Sequence, residues 1–186
     1  MTHELWLVRH GETEWSRDGK HTSVTDLPLT ENGTEVARSL AEKLGGIDFD
    51  LVLSSPRIRA RHTAELAGFG DAEIDDDLVE WAYGDYEGIT TKEIRRTVPG
   101  WTVWTHPSPG GESEAEVATR LDRVVARALA TPGRTLAFAH GHSLPALAAR
   151  WLGLPASAGR MFRLDTATIS VLGHHRETPV ILRWNA

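Results

Sequence analysis

Two histidines, two arginines and one glutamate stand where this sequence can do chemistry. His10 follows the apolar run Leu5-Trp6-Leu7-Val8 and is flanked by Arg9 and Gly11. His140 follows a second run, Thr135 to Ala139, and Ser55 and Arg59 follow a third, Leu51 to Leu53. Short apolar runs of this kind read as buried strands, and open α/β sheets bind ligands at the carboxyl ends of their parallel strands. Two His and two Arg delivered to one such edge suit a phosphoryl group, whose oxygens take charge-assisted hydrogen bonds worth roughly 1.5–3 kcal/mol each. A histidine there stands in attacking position. Glu80 lies between an acidic stretch, Asp75-Asp76-Asp77, and the aromatics Trp81 and Tyr83. Beside those rings a carboxylate is expected to be partly desolvated, with its pKa raised toward that of a usable general acid. The alternative for Glu80 is a plain surface carboxylate.

Rival chemistries fit less well. His140-x-His142 has ligand-like spacing and His174-His175 adds imidazoles, yet two arginines repel a metal ion and no carboxylate stands at a strand end. Ser143 fails as an elbow nucleophile because position 145 is proline where that turn needs glycine. The chain has no cysteine, which removes thiolate sites and disulfides together. A net charge of −6 argues against nucleic acid as a partner, despite the cluster Arg57, Arg59 and Arg61. On a helix Arg57 and Arg61 share one face and Arg59 points the other way, within a first turn whose free N–H groups favour an anion. The residues after Met1 lack a basic and then apolar leader, and no run is long enough to cross a bilayer, so a cytoplasmic protein without a membrane partner is expected.

The elements that must carry these residues follow from periodicity. With 186 residues and 40% hydrophobic content, one domain spanning 1–186 is expected. The loop Asp18 to Pro28 leaves the His10 corner directly, so His21, Thr22, Ser23 and Thr25 are either site-lining residues or turn chemistry. A helix follows from Thr30 to Gly45 with Val36, Leu40 and Leu44 on its inner stripe. Ser54-Ser55-Pro56 offers an N-cap serine and a first-turn proline to the next helix. A short strand is expected within Glu73 to Val79. Thr90 to Glu93 and Ser113 to Glu116 have capping-box spacing, and the second opens a helix with Val117, Leu121, Val124, Ala128 and Leu129 inward. Between them, 99–111 carries Trp101 and Trp104 among Pro and Gly and reads either as a pocket rim or as a core plug. Ser143 is expected to cap a helix running through Leu152. Met161 to Leu164, Thr168 to Leu172 and Val180 to Trp184 read as closing strands.

Taken together, Arg9-His10-Gly11-Glu12-Thr13, Ser54-Ser55-Pro56-x-x-Arg59-Ala60, Glu80-Trp-x-Tyr-Gly-x-Tyr-Glu-Gly88 and His140-Gly141 resemble the motif set of the histidine phosphatase superfamily, also called phosphoglycerate mutase-like. The resemblance implies an α/β protein of three layers, α/β/α, with a mostly parallel central sheet. It implies a phosphohistidine intermediate on His10, a phosphate clamp of Arg9, Arg59 and a protonated His140, and Glu80 as acid and base. Gly11, Thr13, His21, Thr22, Ser55, Tyr83 and Gly141 are the implied substrate contacts. No metal or cofactor is implied, and the partner is a small phosphorylated metabolite. The stretch Gly19-x-His-Thr-x-x-Thr-Asp-Leu-Pro-Leu-Thr30 looks most like small acid phosphatases and sedoheptulose-bisphosphatase-type members, which points to a sugar phosphate. The family uses one pocket for hydrolysis and for 2,3-bisphosphoglycerate-dependent mutase chemistry. Here the span from Glu80 to His140 is filled by elements and no tail follows the last strand, so hydrolysis is expected. A silent phospho-ligand binding module is the alternative from another class, disfavoured because every matched catalytic position is filled. No feature of the sequence specifies an oligomeric state.

Overall fold

The structure, a computed structural model, describes residues 3–186. Its strands are β1 (His3–Arg9), β2 (Leu51–Ser54), β3 (Glu73–Ile74), β4 (Gly133–Ala139), β5 (Ile169–His175) and β6 (Thr178–Arg183). Its α-helices are α1 (Glu14–Arg17), α2 (Glu31–Leu44), α3 (Ile58–Leu66), α4 (Thr91–Ile94), α5 (Glu114–Ala130) and α6 (Ser143–Trp151). The strands form one sheet in the order β3-β2-β4-β1-β5-β6, the first four parallel and the last two antiparallel to their neighbours.

Side chains of a strand alternate between faces, and here both faces are apolar. Leu5 and Leu7 of β1 and Ala137 and Ala139 of β4 pack with Val117, Leu121 and Val124 of α5 and with Leu144 and Leu147 of α6. Their neighbours Val8, Leu136 and Phe138 pack the other way, against Leu40 and Leu44 of α2 and Ala64 of α3. The result is the expected three-layer arrangement. Each fully buried Leu or Phe contributes about 1.5–3 kcal/mol, so both layers hold the strand ends firmly.

Connections from β1 to β2 and from β2 to β3 run toward one edge of the sheet, whereas those into and out of β4 run toward the other. A right-handed crossover changes face when its direction of travel reverses. The crossover helix α5 into β4 therefore lies on the face opposite α2, and α6 packs with α5, so helices leave the neighbours β1 and β4 on opposite faces and open a crevice between their carboxyl ends. Register completes the alignment. Arg9 pairs with Ala139 and Ser54 with Phe138. One residue further, His10 N donates to Ala139 O at 3.0 Å and Ser55 N to Phe138 O at 2.9 Å. His10, Ser55 and His140 thus stand side by side.

The exit from β1 is tight. A Cβ on Gly11 would lie 2.5 Å from the Gly33 carbonyl oxygen of α2, a distance no side chain tolerates.

Several local expectations need correction. Val36 is exposed and Ala37 takes its inward place on α2, one residue around the turn. Leu129 is likewise exposed, while Arg120 is buried on α5. The helix after Ser54-Ser55-Pro56 starts only at Ile58, capped by no local side chain; the Asp26 carboxylate accepts from Ile58 N at 2.8 Å instead. Ser143 is the first residue of α6, not its cap. Met161 to Leu164 is no strand: a 3₁₀ turn over Ala156–Met161 leads into an irregular stretch with Met161 exposed. The strand within Glu73 to Val79 shrinks to Glu73–Ile74, followed by a 3₁₀ turn at Asp76–Leu78. Residues 99–111 do both things expected of them, with Trp101 fully buried in the core and Trp104 facing the cavity described next.

Candidate active site

His10 is almost fully buried, and its Nδ1 lies 2.7 Å from the Gly11 carbonyl oxygen. A carbonyl only accepts, so Nδ1 carries the proton and Nε2 keeps its lone pair. Burial first, then the charges of Arg59 and Arg9, push its pKa well below the ordinary 6.5. The ring is neutral at pH 7. His140 lies edge-on to it, ring centroids 5.2 Å apart, with Nε2 2.7 Å from Ser55 Oγ. With protein groups alone around it, the ring is not protonated. Burial, then Arg59 and His10, push the His140 pKa well below 6.5 as well, because a second cation is costly beside a guanidinium.

Arg9 reaches in from the end of β1 and donates from Nη1 to Leu164 O at 2.6 Å. A Cβ at Gly141 would press to about 3.1 Å from its guanidinium carbon, which accounts for glycine there. Arg59 is fully buried and donates to the carbonyls of Thr22, Ser23 and Thr25. On their other side, the N–H groups of Ser23 and Thr25 donate to Glu87. The loop leaving His10 is thus held between a carboxylate and a guanidinium. Among the described residues, Arg9 Nε, Arg59 Nε and His140 Nδ1 are buried without a hydrogen-bond partner. A buried unpaired donor costs about 1–3 kcal/mol, so the two guanidinium N–H groups, whose charges both act on His10, favour an anion there.

Glu80 enters from the irregular stretch before Trp81 and is 5% exposed. Its carboxylate accepts from the backbone N–H groups of Trp81, His142 and Ser143. It does for α6 what Ser143 was expected to do, and the Ser143 hydroxyl is left buried without a partner. Behind it Arg120 donates to the Asp77 and Val79 carbonyls and pairs with Glu112, which accepts from Ala82 N. This half-buried ion pair brackets Glu80 in the chain. Tyr83 O–H lies 2.5 Å from His142 Nδ1. Burial, then the Glu80 charge, raise the Tyr83 pKa, and burial lowers that of His142, so the phenol donates to the neutral ring.

These groups line a cavity of about 390 Å³. Arg9, His10, His21, Thr22, Glu80, Tyr83 and Gly141, all expected at the site, line it. Arg59, His140 and Ser55, also expected at the site, are fully buried and do not line it. Gly11 and Thr13 do not line it: Gly11 makes the close approach to α2, and Thr13 caps α1 in a capping box with Ser16. His174 and His175 sit at the far end of the sheet, since Leu172 already pairs with Leu5. The sequence reading missed Arg160, Phe162 and Arg163 as lining residues, and saw His142 only as half of a metal pair. The capping pattern of α6 held a signal: its N-terminus needs an acceptor, and Glu80 is a carboxylate outside any helix. No helix among the described residues is long and apolar enough to cross a membrane.

Known proteins resemble this chain along most of its length. An acid phosphatase of Mycobacterium tuberculosis is 45% identical over 175 residues, which cover 92% of this chain and 86% of the relative. A sedoheptulose 1,7-bisphosphatase of Saccharomyces cerevisiae is 36% identical, with 83% of this chain and 69% of the relative covered. A solved structure from a Mycobacterium tuberculosis open reading frame superposes with a TM-score of 0.94 at 41% identity, covering 98% of this chain and 97% of the other. The histidine phosphatase superfamily (branch 1) matches residues 5–186, and the chain belongs to that family, a phosphoric monoester hydrolase by its kin and its fold.

Proposed function

We propose that this phosphatase hydrolyses small phosphorylated metabolites of the sugar phosphate class through a phosphohistidine on His10, without a metal, with the whole chain 1–186 acting as one domain. One observation carries the reading: a neutral imidazole, tautomer set by Gly11 O, presents Nε2 beside two guanidiniums and a carboxylate. His10 Nε2 attacks phosphorus in line, and the bond to the ester oxygen breaks as Glu80 gives that oxygen a proton. Nδ1–H stays on the Gly11 carbonyl and spreads the positive charge. Water then attacks phosphorus, Glu80 takes its proton, the P–N bond breaks, and neutral His10 returns. Arg9 and Arg59 face the non-bridging oxygens, the role of metal ions in nucleotide-dependent transfer. An arriving phosphate anion also favours protonation of His140, which then joins the clamp.

The sugar reading is supported by hydroxyls of Ser16, Thr22 and Thr91 and by the Tyr83 and Trp104 rings in the cavity wall, and by relatives named acid phosphatase and bisphosphatase. Incubation with p-nitrophenyl phosphate, and with 3-phosphoglycerate with and without 2,3-bisphosphoglycerate, tests the reaction. Ester hydrolysis without isomerisation is expected, with a phosphohistidine trapped by rapid quench. Isomerisation that depends on the bisphosphate overturns the hydrolytic reading, and a protein inert in both assays points to a binding module.

A further inference from the structure

We propose that Lys20, Arg160 and Arg163 form a second anion subsite at the mouth of the cavity. It selects substrates carrying a further phosphate or carboxylate, distal to the phosphoryl group that meets His10. This rests on the phosphatase reading of the same cavity.

Charge is the first ground. The chain has 26 acidic residues against 20 Lys and Arg, yet among the cavity-lining residues Arg9, Lys20, Arg160 and Arg163 face a single carboxylate, Glu80. Arg9 is committed to the buried end, so three cations are surplus to holding one phosphoryl group. A cleft lined by charges of one sign focuses the field on an incoming anion.

Placement is the second. Arg160 follows Gly159, where a Cβ would stand 2.8 Å from the Trp104 ring, and Arg163 precedes Leu164, whose carbonyl holds Arg9. The segment between them is therefore pinned to the cavity wall at both ends. Lys20 is pinned through its backbone N–H, which donates to Trp15 O at 2.9 Å, and its ammonium lies 5.8 Å from the centre of the Trp15 ring.

Availability is the third. Among the described residues neither Lys20 nor Arg160 has an ion-pair partner, and Arg163, paired with Asp165 at 3.1 Å, keeps a side chain 85% exposed. Asp165 also accepts from Asn185, so it neutralises Arg163 only in part. The cavity is far larger than one phosphoryl group, so a chain of several carbons reaches from His10 to these cations.

The experiment compares kcat/KM for matched pairs: fructose 1,6-bisphosphate against fructose 6-phosphate, and 3-phosphoglycerate against glycerol 3-phosphate. The first pair reads a distal phosphate and the second a distal carboxylate. Wild-type protein is expected to favour the two-anion member of at least one pair by about tenfold or more, a preference that shrinks as salt rises because exposed charges are screened. In the Arg160→Gln, Arg163→Gln double variant and in Lys20→Gln, the ratio falls about tenfold. A ratio within about twofold of wild type in all variants, or no preference in wild type, overturns the subsite. Calorimetric titration of His10→Ala with the same pairs reads the subsite without turnover. If p-nitrophenyl phosphate is hydrolysed while the ratios stay flat, the subsite falls and the phosphatase reading stands. If nothing is hydrolysed while the bisphosphate binds His10→Ala more tightly than the monophosphate, the reverse holds.

Discussion

The buried end of the cavity and its mouth are built differently. At the buried end, His10, Ser55 and His140 stand on the ends of parallel strands, one residue past a hydrogen-bonded register that leaves them little freedom. The mouth is made of irregular segments around Lys20, Trp104 and Arg160 to Arg163, positioned by packing against one another. Strand ends locked by two apolar layers suit chemistry that tolerates little displacement of the reacting atoms. Loops that vary without disturbing the sheet suit choice among substrates. On the reading proposed above, the buried end sets the reaction and the mouth sets which ester undergoes it.

The sharpest way to break this division is His10→Ala. Turnover of p-nitrophenyl phosphate is expected to fall to background with every mouth residue intact, and the quench experiment to yield no phosphoprotein. Activity retained in that variant removes the buried end from the chemistry. Next in size is Glu80→Gln, expected to slow turnover by roughly 10²–10⁴ while inorganic phosphate still binds. Gln also keeps an acceptor for the α6 N–H groups, so a thermal melt close to wild type separates lost proton transfer from a lost helix cap.

The same contrast explains what the sequence made legible. Apolar runs ending in Arg9-His10, Ser54-Ser55 and Ala139-His140 declare both strand and site edge, because a strand buried on both faces changes character abruptly at its end. That Arg59 turns inward, unlike Arg57 and Arg61, was readable from helical angle. Asp26 and Glu80 as helix caps were not, since each arrives from far along the chain, Glu80 from 63 residues before Ser143. Local capping rules then assign the task to the nearest serine, wrongly in both places. Met161 to Leu164 misled for a related reason. Four residues that suit a strand by type form none here, since Leu164 turns inward to hold Arg9 and Phe162 faces the cavity.

Acid sharpens the comparison, because the buried histidines crowd the inner end. His10, His21, His140 and His142 all have folded pKa values below the ordinary 6.5, that of His21 lowered to about 4 by burial and then by His142. Below pH 6.5 the unfolded chain therefore binds protons that the folded chain refuses. Stability is full above that pH and declines as pH falls toward the folded values. His21 alone accounts for a loss of about 3 kcal/mol across that interval. Melting temperature is expected to drop between pH 7 and pH 5, and less so in His21→Gln. A flat profile would show that these rings are open to protonation in the folded protein, contrary to a dry inner end.

The smallest effect lies where the two regions join. Asp26 sits on the loop that frames the cavity and accepts from Ile58 N, at the start of the helix that carries Arg59. It also stands 3.9 Å from the Arg59 guanidinium. Its side chain is nearly half exposed, so the ion pair adds little and the cap dominates. Asp26→Ala is expected to cost about 1 kcal/mol, a drop of roughly 2–4 °C in melting temperature for a chain of this size. Asp26→Asn separates the two roles, because asparagine caps as well as aspartate but carries no charge. Stability kept in Asn and lost in Ala makes the loop a mechanical support for the α3 terminus. Equal loss in both means that the carboxylate acts through the charge of Arg59, and the electrostatics of the buried end then extend outward into the loop.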